Sequence, residues 1–324
     1  MRAWVVDRLE GLGALELRDL PEPPAPAAGE ATVEVSAVGL NHPDLLMLSG
    51  GYQFRPALPF TPGMEGVGRI LAVGEGVSPE LLGHRLLLGG RTGLLAERVT
   101  MPLAALREVP EALSDSEAAG FTTGALTAWI GLVARGRIMA GEHLLVLGAG
   151  GGMGLAAVSL GKALGARVTA VASDPAKLEA ARHAGADSCL LADRAAPDLS
   201  SLKGACDLVF DPVGGAHVRP ALKTLRWGGR YLVIGFVGGV PVAVPTNLAL
   251  LQGIEIIGVR AGEAGRQDPQ LGRRALSEID RIAASGGLRP IIGLEVPFGR
   301  ARDAFAAMQA GSLVGKAVIA MDRD

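Results

Sequence analysis

The chain has 324 residues, of which 49% are hydrophobic and 20% charged, so it is long enough for two domains with sizeable cores and is not a disordered protein. A formal net charge of −2 gives no electrostatic reason to expect a nucleic acid or an anionic membrane as a partner. The two cysteines, Cys189 and Cys206, are too few for a disulfide framework, and we expect a reducing, cytoplasmic compartment.

The first third of the chain is predicted to be rich in β-strands. Apolar and polar residues alternate over residues 31–38, and residues 66–73 and 94–100 also have strand-like patterns. Residues 21–26 form a proline-rich surface connection. Frequent glycine and proline between these segments indicate an irregular β-domain and not a helical one.

From residue 120 onward, strands and helices alternate. Strands are predicted at residues 143–147, 167–172, 188–191, 207–210 and 230–234. Helices are predicted between them at residues 155–164, 175–184 and 218–225. Such alternation is typical of βαβ units whose parallel sheet is buried on both faces. It stops after residue 258, where helices at 269–285 and 300–310 precede a strand at 316–320.

The simplest architecture is an α/β fold in which a doubly wound parallel sheet is inserted into a β-rich domain. We assign residues 120–260 to the inserted domain, and residues 1–119 and 261–324 to the β-rich domain. The substrate would then lie in the cleft between the domains, near the carboxyl ends of the parallel strands. The long uncharged stretch 231–254 contains prolines and polar residues, so no membrane span is expected.

The most informative segment is a glycine-rich turn at residues 148–154 (GAGGGMG), between an apolar strand and a predicted helix. Glycines let the backbone approach a pyrophosphate, and the helix N-terminus directs N–H groups at the negative charge. Read from Ala149, the pattern is A-x-G-x-x-G, with alanine in place of the usual first glycine. In this context it predicts a Rossmann domain that binds a nicotinamide dinucleotide, although an ordinary glycine-rich turn is the alternative. The predicted contacts are Gly151, Gly152, Met153 and Gly154.

Motifs along nearly the whole chain resemble those of a known family. In chain order they are residues 39–44 (GLNHPD), 62–68 (PGMEGVG), the glycine turn, 211–215 (DPVGG) and 315–316 (GK). Together they resemble the medium-chain dehydrogenase/reductase superfamily, and within it the zinc-free quinone oxidoreductase branch. The resemblance implies that the β-rich part is a GroES-like catalytic domain. It also implies a homodimer formed through the edge of the Rossmann sheet, with residues 248–259 as the candidate interface.

The resemblance also bears on metal binding. The positions that match the zinc ligands of alcohol dehydrogenases in this superfamily are Asn41, Met64 and Ala119. An amide and an alanine supply neither thiolate nor carboxylate, and a thioether is a poor ligand for zinc. Of the five histidines only His42 adjoins a lost ligand position, and we expect it to lie at the surface or behind the ligand positions, with metal binding as the alternative. We therefore expect no metal and no Lewis acid to polarise an alcohol.

Without a metal, hydride transfer needs an electron-poor acceptor such as a quinone or an α,β-unsaturated carbonyl compound. The resemblance places Tyr52 beside the nicotinamide, so its phenol is the candidate proton donor or oxyanion partner. The alternative is a tyrosine packed on the cleft wall with its hydroxyl bound to the backbone. Asn41 either donates its amide to a substrate oxygen or fixes the loop. Asp44 and Glu65 are expected to be structural.

Other candidate contacts with the cofactor lie at the ends of strands or at the start of a helix. They are Thr123, Thr127, Val213, Gly235, Phe236 and Lys316. The resemblance places the threonines near the nicotinamide or its ribose, and the carboxyl ends of the strands place residues 213 and 235–236 near the nicotinamide half. Lys316 is the candidate partner of the pyrophosphate, with a solvated edge charge as the alternative.

The residues after the second Rossmann strand bear on the choice between NADP and NAD. Asp174 directly precedes Pro175, a pair typical of a helix N-cap and first helical residue, so its carboxylate would bind backbone N–H groups and not ribose hydroxyls. Ser173 and Lys177 would then bind a 2′-phosphate through hydroxyl and ammonium groups. We therefore favour NADP(H) over NAD(H).

The leading functional hypothesis is a zinc-independent, NADPH-dependent oxidoreductase that reduces a quinone or another electron-poor alkene or enone. An enoyl thioester (short acyl-CoA) reductase is the alternative, and it needs a basic patch for the CoA phosphates. The candidate patch, if its members converge, consists of Arg260, Arg266, Arg273 and Arg274. A hypothesis of another class is a non-catalytic NADPH-binding protein, which a turnover assay would distinguish.

Overall fold

The structure, a computed structural model, describes residues 1–239, 241–244 and 246–321. Its strands are β1 (Arg2–Val6), β2 (Leu15–Asp19), β3 (Glu30–Gly39), β4 (Glu65–Val73), β5 (Arg85–Gly89), β6 (Arg98–Pro102), β7 (Leu106–Glu108), β8 (His143–Leu147), β9 (Arg167–Ala172), β10 (Ser188–Leu191), β11 (Cys206–Asp211), β12 (Leu225–Val233), β13 (Glu255–Gly258), β14 (Ile292–Pro297) and β15 (Lys316–Ala320). Its helices are α1 (His42–Met47), α2 (Asp115–Ala119), α3 (Thr122–Trp129), α4 (Gly152–Ala163), α5 (Pro175–His183), α6 (Val218–Leu222), α7 (Thr246–Gln252), α8 (Ala261–Gln267), α9 (Pro269–Ala284) and α10 (Ala301–Ala310). Among the described residues, no helix is long and apolar enough to cross a membrane.

The chain divides into two compact units. Unit 1 comprises Met1–Thr122 and Ile292–Asp324, of which residues 322–324 lie outside the described part, and unit 2 comprises Thr123–Ile291. The first division is close to the predicted boundary at 119/120. The second lies after α8 and α9 and not before them, unlike the predicted boundary at 260/261. The reason is the packing of α9, whose Arg274 guanidinium lies 5.8 Å from the ring centre of Trp129 in unit 2.

Unit 1 is built on a seven-stranded sheet whose path is β14-β15-β3-β4-β5-β7, with β6 also paired to β3 and a separate β1-β2 ladder. The long strand β3 alternates buried and more accessible residues along its first half, as its sequence pattern predicts. Of the predicted strands, 31–38 and 66–73 are confirmed. The strand predicted at 94–100 begins only at Arg98, because the preceding residues lie in a buried, irregular segment.

Unit 2 contains a six-stranded parallel sheet with the order β10-β9-β8-β11-β12-β13. The predicted strands and the alternating helices are confirmed, apart from shifts at their ends; helix α6, for example, stops at Leu222, before its predicted end at 225. The fold class, α/β with a doubly wound parallel sheet, is confirmed. Because β9 and β11 flank β8 on opposite sides, the chain reverses direction across the sheet there, and ligands bind at such switch points at the carboxyl ends of strands.

Candidate functional site

The glycine turn lies at the carboxyl end of β8 and opens helix α4. Gly148 has a φ of 59°, in the left-handed region that favours glycine. At Gly154 the backbones approach so closely that a Cβ atom would lie 2.3 Å from the Gly148 carbonyl oxygen. These two positions therefore require glycine, as the predicted phosphate-binding turn does.

The N-terminus of α4 is open to an anion. Within the described part of the chain, no side chain caps this end, and its first turn carries no acidic residue. The first helical hydrogen bond runs from the Leu155 N–H to the Gly151 carbonyl at 2.9 Å, so the N–H groups of residues 152–154, in the first turn of α4, precede the helical hydrogen-bond ladder. The Gly151 N–H differs from these, because it donates to the Gly148 carbonyl oxygen at 3.1 Å. This end carries a partial positive charge, so the turn fits the pyrophosphate of a dinucleotide.

Two neighbouring loops pack around this turn at the carboxyl ends of β11 and β12. A Cβ atom on Gly148 would lie 2.8 Å from Val213 Cγ2, so the Val213 side chain covers the turn. Likewise, a Cβ atom on Gly214 would lie 3.0 Å from the Phe236 ring. The structure therefore brings together the glycine turn, Val213, Gly235 and Phe236.

Helix α3 brings its threonines to the same region. Thr123 and Thr127 are four residues apart and therefore share one face of the helix. Their neighbour Gly124 packs against α4, since a Cβ atom there would lie 3.4 Å from Ala156 Cβ and 3.5 Å from the Gly152 carbonyl oxygen. Thr123 thus lies near the start of α4.

A second group of polar residues follows β9. Asp174 Oδ1 accepts a hydrogen bond from the Ala176 N–H at 2.7 Å, so the predicted N-cap of α5 is confirmed. The Lys177 stem lies on the glycine turn, because a Cβ atom on Gly150 would lie 2.2 Å from Lys177 Cβ. Burial, and secondarily the positive charge of Arg194, lower the pKa of Lys177.

Arg194 is a member of this group that the sequence did not reveal. Its Nε donates to Ser173 Oγ at 2.9 Å, and its charge is close enough to lower the pKa of Lys177. It lies in the loop after β10, next to β9 in the sheet but distant from Ser173 in sequence. The only signal in the sequence is an arginine just after a predicted strand, which many surface loops share.

Unit 1 contains a buried polar cluster centred on Lys316, which is 6% exposed. Lys316 Nζ donates to Glu65 Oε1 at 2.7 Å. It also donates to Asn41 Oδ1 and to the Leu40 carbonyl oxygen, both at 2.9 Å. All three N–H groups of the ammonium are therefore used inside the protein. This arrangement does not fit the predicted contact between Lys316 and a pyrophosphate, or the alternative of a solvated edge charge.

The same cluster fixes Asn41. Its Nδ2 donates to Glu65 Oε1 at 2.8 Å, while its backbone N–H donates to Asp44 Oδ2 at 2.9 Å. Asp44 Oδ1 accepts from the Gly63 N–H at 3.1 Å, and complete burial raises the pKa of Asp44 to about 7. With its amide engaged on both sides, Asn41 is better placed to fix the loop than to donate to a substrate.

Tyr52 is half-buried and packs on the unit 1 core together with Phe54 and Met64. Considering the described residues alone, its hydroxyl has no hydrogen-bond partner in the protein. The Phe54 ring carries the Arg91 guanidinium 4.7 Å from its centre. The packed ring thus fixes Tyr52 in place, and its hydroxyl is available to bind a ligand.

Comparison with known proteins identifies the family. Residues 27–111 match the alcohol dehydrogenase GroES-like domain, and residues 152–278 match the zinc-binding dehydrogenase family. Quinone oxidoreductase-like protein 2 of Bos taurus is 34% identical over 298 residues, covering 90% of this chain and 85% of that protein. The chain belongs to the quinone oxidoreductase branch of the medium-chain dehydrogenase/reductase superfamily. It is an oxidoreductase of that superfamily, as the motifs predict.

Solved structures of the superfamily share the whole fold. The quinone oxidoreductase of Thermus thermophilus, crystallised also as its complex with NADPH, is 37% identical, with a TM-score of 0.86 over 99% of this chain and 100% of that one. An NAD-dependent alcohol dehydrogenase is 27% identical, with the same TM-score of 0.86 over 99% of this chain and 100% of that one. Because both cofactors occur on one fold, the choice of cofactor must be argued from side chains.

The three positions that the resemblance matches to zinc ligands hold an amide, a thioether and a methyl side chain. Asn41 is committed to Lys316 and Glu65, Met64 offers only a thioether, and Ala119 is fully buried. Across the described ranges, no group of three or more His, Cys, Asp or Glu residues is arranged to hold a metal ion.

Two of the four candidate arginines for a CoA patch have partners within the protein. Arg266 pairs with Glu263 at 2.9 Å, and Arg274 lies over the Trp129 ring. The guanidinium groups of Arg266 and Arg274 thus bind side chains of unit 2, namely Glu263 and Trp129.

Proposed function

We propose that this chain is a zinc-independent, NADPH-dependent reductase whose acceptor is a quinone or another electron-poor alkene or enone. The observation that carries the proposal is Asn41, at the position matched to a zinc ligand, with its amide bound to Lys316 and Glu65. A simple alcohol is a poor hydride donor without a Lewis acid or a catalytic Tyr-Lys pair, whereas an acceptor that is already electron-poor needs neither.

The residues that would hold the cofactor lie in unit 2. The chemistry supplied by the bound cofactor is hydride transfer. The N–H groups of Gly152, Met153 and Gly154, in the first turn of α4, would bind the pyrophosphate, with Gly151 forming the close backbone turn beside it. Ser173, Lys177 and Arg194 bind the 2′-phosphate with one hydroxyl and two cations. The nicotinamide half is contacted by the residues that the loops and α3 supply, namely Thr123, Thr127, Val213, Gly235 and Phe236.

In unit 1, Tyr52 supplies the polar group that the acceptor needs. A quinone or enone that has accepted hydride carries negative charge on oxygen, which a phenol stabilises by donating a hydrogen bond or a proton. Tyr52→Phe keeps the ring packing and removes only the hydroxyl. We expect it to lower kcat by about 100-fold, the lower range for loss of a general acid, with no change in the Kd for NADPH.

Titration followed by turnover tests the proposal. Purified protein is titrated with NADPH and with NADH, and absorbance of the bound cofactor is followed after addition of 1,4-benzoquinone or, separately, crotonyl-CoA. We expect tighter binding of NADPH and rapid oxidation with the quinone. Consumption with the thioester alone would favour the enoyl reductase. Tight binding without turnover of either acceptor would favour a non-catalytic NADPH-binding protein, and preference for NADH would overturn the 2′-phosphate assignment.

A second copy of this chain is the proposed partner, docked at the outer edge of β13, which pairs with β12 alone among the described strands. Apolar side chains are exposed beside this edge strand: Trp227 is 76% exposed, Leu250 77% and Leu251 69%. An unpaired edge next to apolar surface favours strand pairing with another copy. Sedimentation should show a dimer that Leu250→Glu with Leu251→Glu converts to monomer. A monomeric wild-type protein would contradict this assignment.

A further inference from the structure

Asp211, the last residue of β11, is the point at which the two loops beside the glycine turn are joined. Its Oδ1 accepts the N–H groups of Val213 at 2.7 Å and Gly214 at 2.8 Å. Its carbonyl oxygen accepts the N–H groups of Ile234 at 2.9 Å and Gly235 at 3.3 Å. One buried residue therefore holds the start of both loops.

The second carboxylate oxygen of Asp211 accepts a hydrogen bond from the Tyr231 hydroxyl, which comes from the neighbouring strand β12. Both residues are 2% exposed. Burial, and then the negative charge of Asp211, raise the pKa of Tyr231, so the phenol stays protonated and remains a donor. The carboxylate is thus bonded on both oxygens, with no water needed to satisfy it.

The backbone of the loops after β11 and β12 has a specific conformation that the contacts around it stabilise. Gly214 has φ 68° and ψ −151°, a region open essentially to glycine alone. The two loops are also bonded to each other, from the Gly238 N–H to the Val213 carbonyl oxygen at 2.8 Å and from the Val237 N–H to the Pro212 carbonyl oxygen at 3.2 Å. A carboxylate that binds successive N–H groups sets the course of such a turn.

We propose that Asp211 and Tyr231 are positioning residues that preset the two loops for the nicotinamide half of the cofactor. The inference rests on the proposed function, since it takes NADPH as the ligand and Val213, Gly235 and Phe236 as its contacts. A loop held in its binding shape loses less entropy when the ligand binds, and it places the reacting ring with less error. Neither side chain needs to touch the ligand.

The adenosine end provides an internal reference. Ser173, Lys177 and Arg194 follow β9 and β10, whereas Asp211 and Tyr231 hold the loops that follow β11 and β12. Adenosine 2′,5′-bisphosphate carries the 2′-phosphate and lacks the nicotinamide half. Its affinity therefore reports on the adenosine end alone, whereas the affinity for NADPH reports on both ends.

The experiment compares Tyr231→Phe and Asp211→Asn with Thr224→Val. The control also removes a buried hydroxyl donor of unit 2, since Thr224 Oγ1 donates to the Ala221 carbonyl oxygen at 2.7 Å before β12 begins. Melting temperatures establish that each variant is folded. The Kd values for NADPH and for adenosine 2′,5′-bisphosphate are then measured, together with kcat and KM for 1,4-benzoquinone.

We expect Tyr231→Phe to weaken NADPH about tenfold, as loss of a buried hydrogen bond to a charged group does, and to lower kcat. Adenosine 2′,5′-bisphosphate should bind as before, and Thr224→Val should change neither affinity. Equal weakening of both ligands, or no change in either, would overturn the positioning role. If the wild-type protein binds neither NADPH nor NADH, the proposed function fails, whereas normal wild-type binding with an unaffected Tyr231→Phe variant defeats only this inference.

Discussion

Two lysines that look alike in the sequence have opposite surroundings in the folded chain. Lys316, in unit 1, is buried and donates its three N–H groups to oxygens of Glu65, Asn41 and Leu40. Lys177, in unit 2, lies against Gly150 and feels the charges of both Arg194 and Asp174. A buried lysine whose three N–H groups donate to protein oxygens is structural, whereas two neighbouring cations at the carboxyl end of a parallel sheet, Lys177 on α5 and Arg194 in the loop after β10, favour an anionic ligand.

The largest expected effect is at Lys316. Glu65→Gln removes the counter-charge at 2.7 Å and leaves a buried ammonium, which should lower the free energy of unfolding by about 3–5 kcal/mol. Urea unfolding of the variant measures the loss. Glu22→Gln is the matched control in the same unit, because Glu22 pairs with Arg98 at 2.8 Å at the surface and its loss should leave stability unchanged. Equal losses of stability in Glu65→Gln and Glu22→Gln would contradict the view that the buried ion pair stabilises the fold more than the surface pair does.

The contrast between these lysines also shows how much the sequence could predict. Strand and helix patterns, the glycine turn and the Asp174 cap depend on neighbours a few residues apart, so they were predictable. The partner of Lys316 is 251 residues away, and Arg194 reaches Ser173 only because β10 lies beside β9. Contacts of this kind depend on the tertiary fold, and no local pattern encodes them.

The next largest effect is expected on the affinity for NADPH, through the two neighbouring cations of unit 2, Lys177 and Arg194. Arg194→Ala should weaken NADPH binding about tenfold or more, since it removes a charge-assisted hydrogen bond to the 2′-phosphate. NADH lacks that phosphate, so its Kd should not change. Arg182→Ala on α5 is the control, because Arg182 pairs with Glu179 at 3.0 Å on the surface. Loss of NADH binding together with NADPH binding would show that Arg194 supports the fold and not the phosphate.

The smallest expected effect is on the pH dependence of stability, and it concerns Asp44. This carboxyl group lies close to the charges of Glu65 and Lys316 in the buried polar cluster of unit 1. Burial raises the pKa of Asp44 from its ordinary 3.8 to about 7, so the folded protein holds this proton over a range where the unfolded chain has lost it. The resulting stabilisation is complete below the unfolded pKa and is lost as the pH rises through about 7. The melting temperature should therefore decline between weakly acidic and weakly alkaline pH, and Asp44→Asn should flatten that decline.

A melting temperature that rises with pH in the wild-type protein would mean that the Asp44 carboxylate is stabilised by its N–H donors and by Lys316 more strongly than burial destabilises it. The cluster around Lys316 would then stabilise negative charge on Asp44. In that respect it would resemble the two cations of unit 2, Lys177 and Arg194, which we propose to bind an anionic ligand.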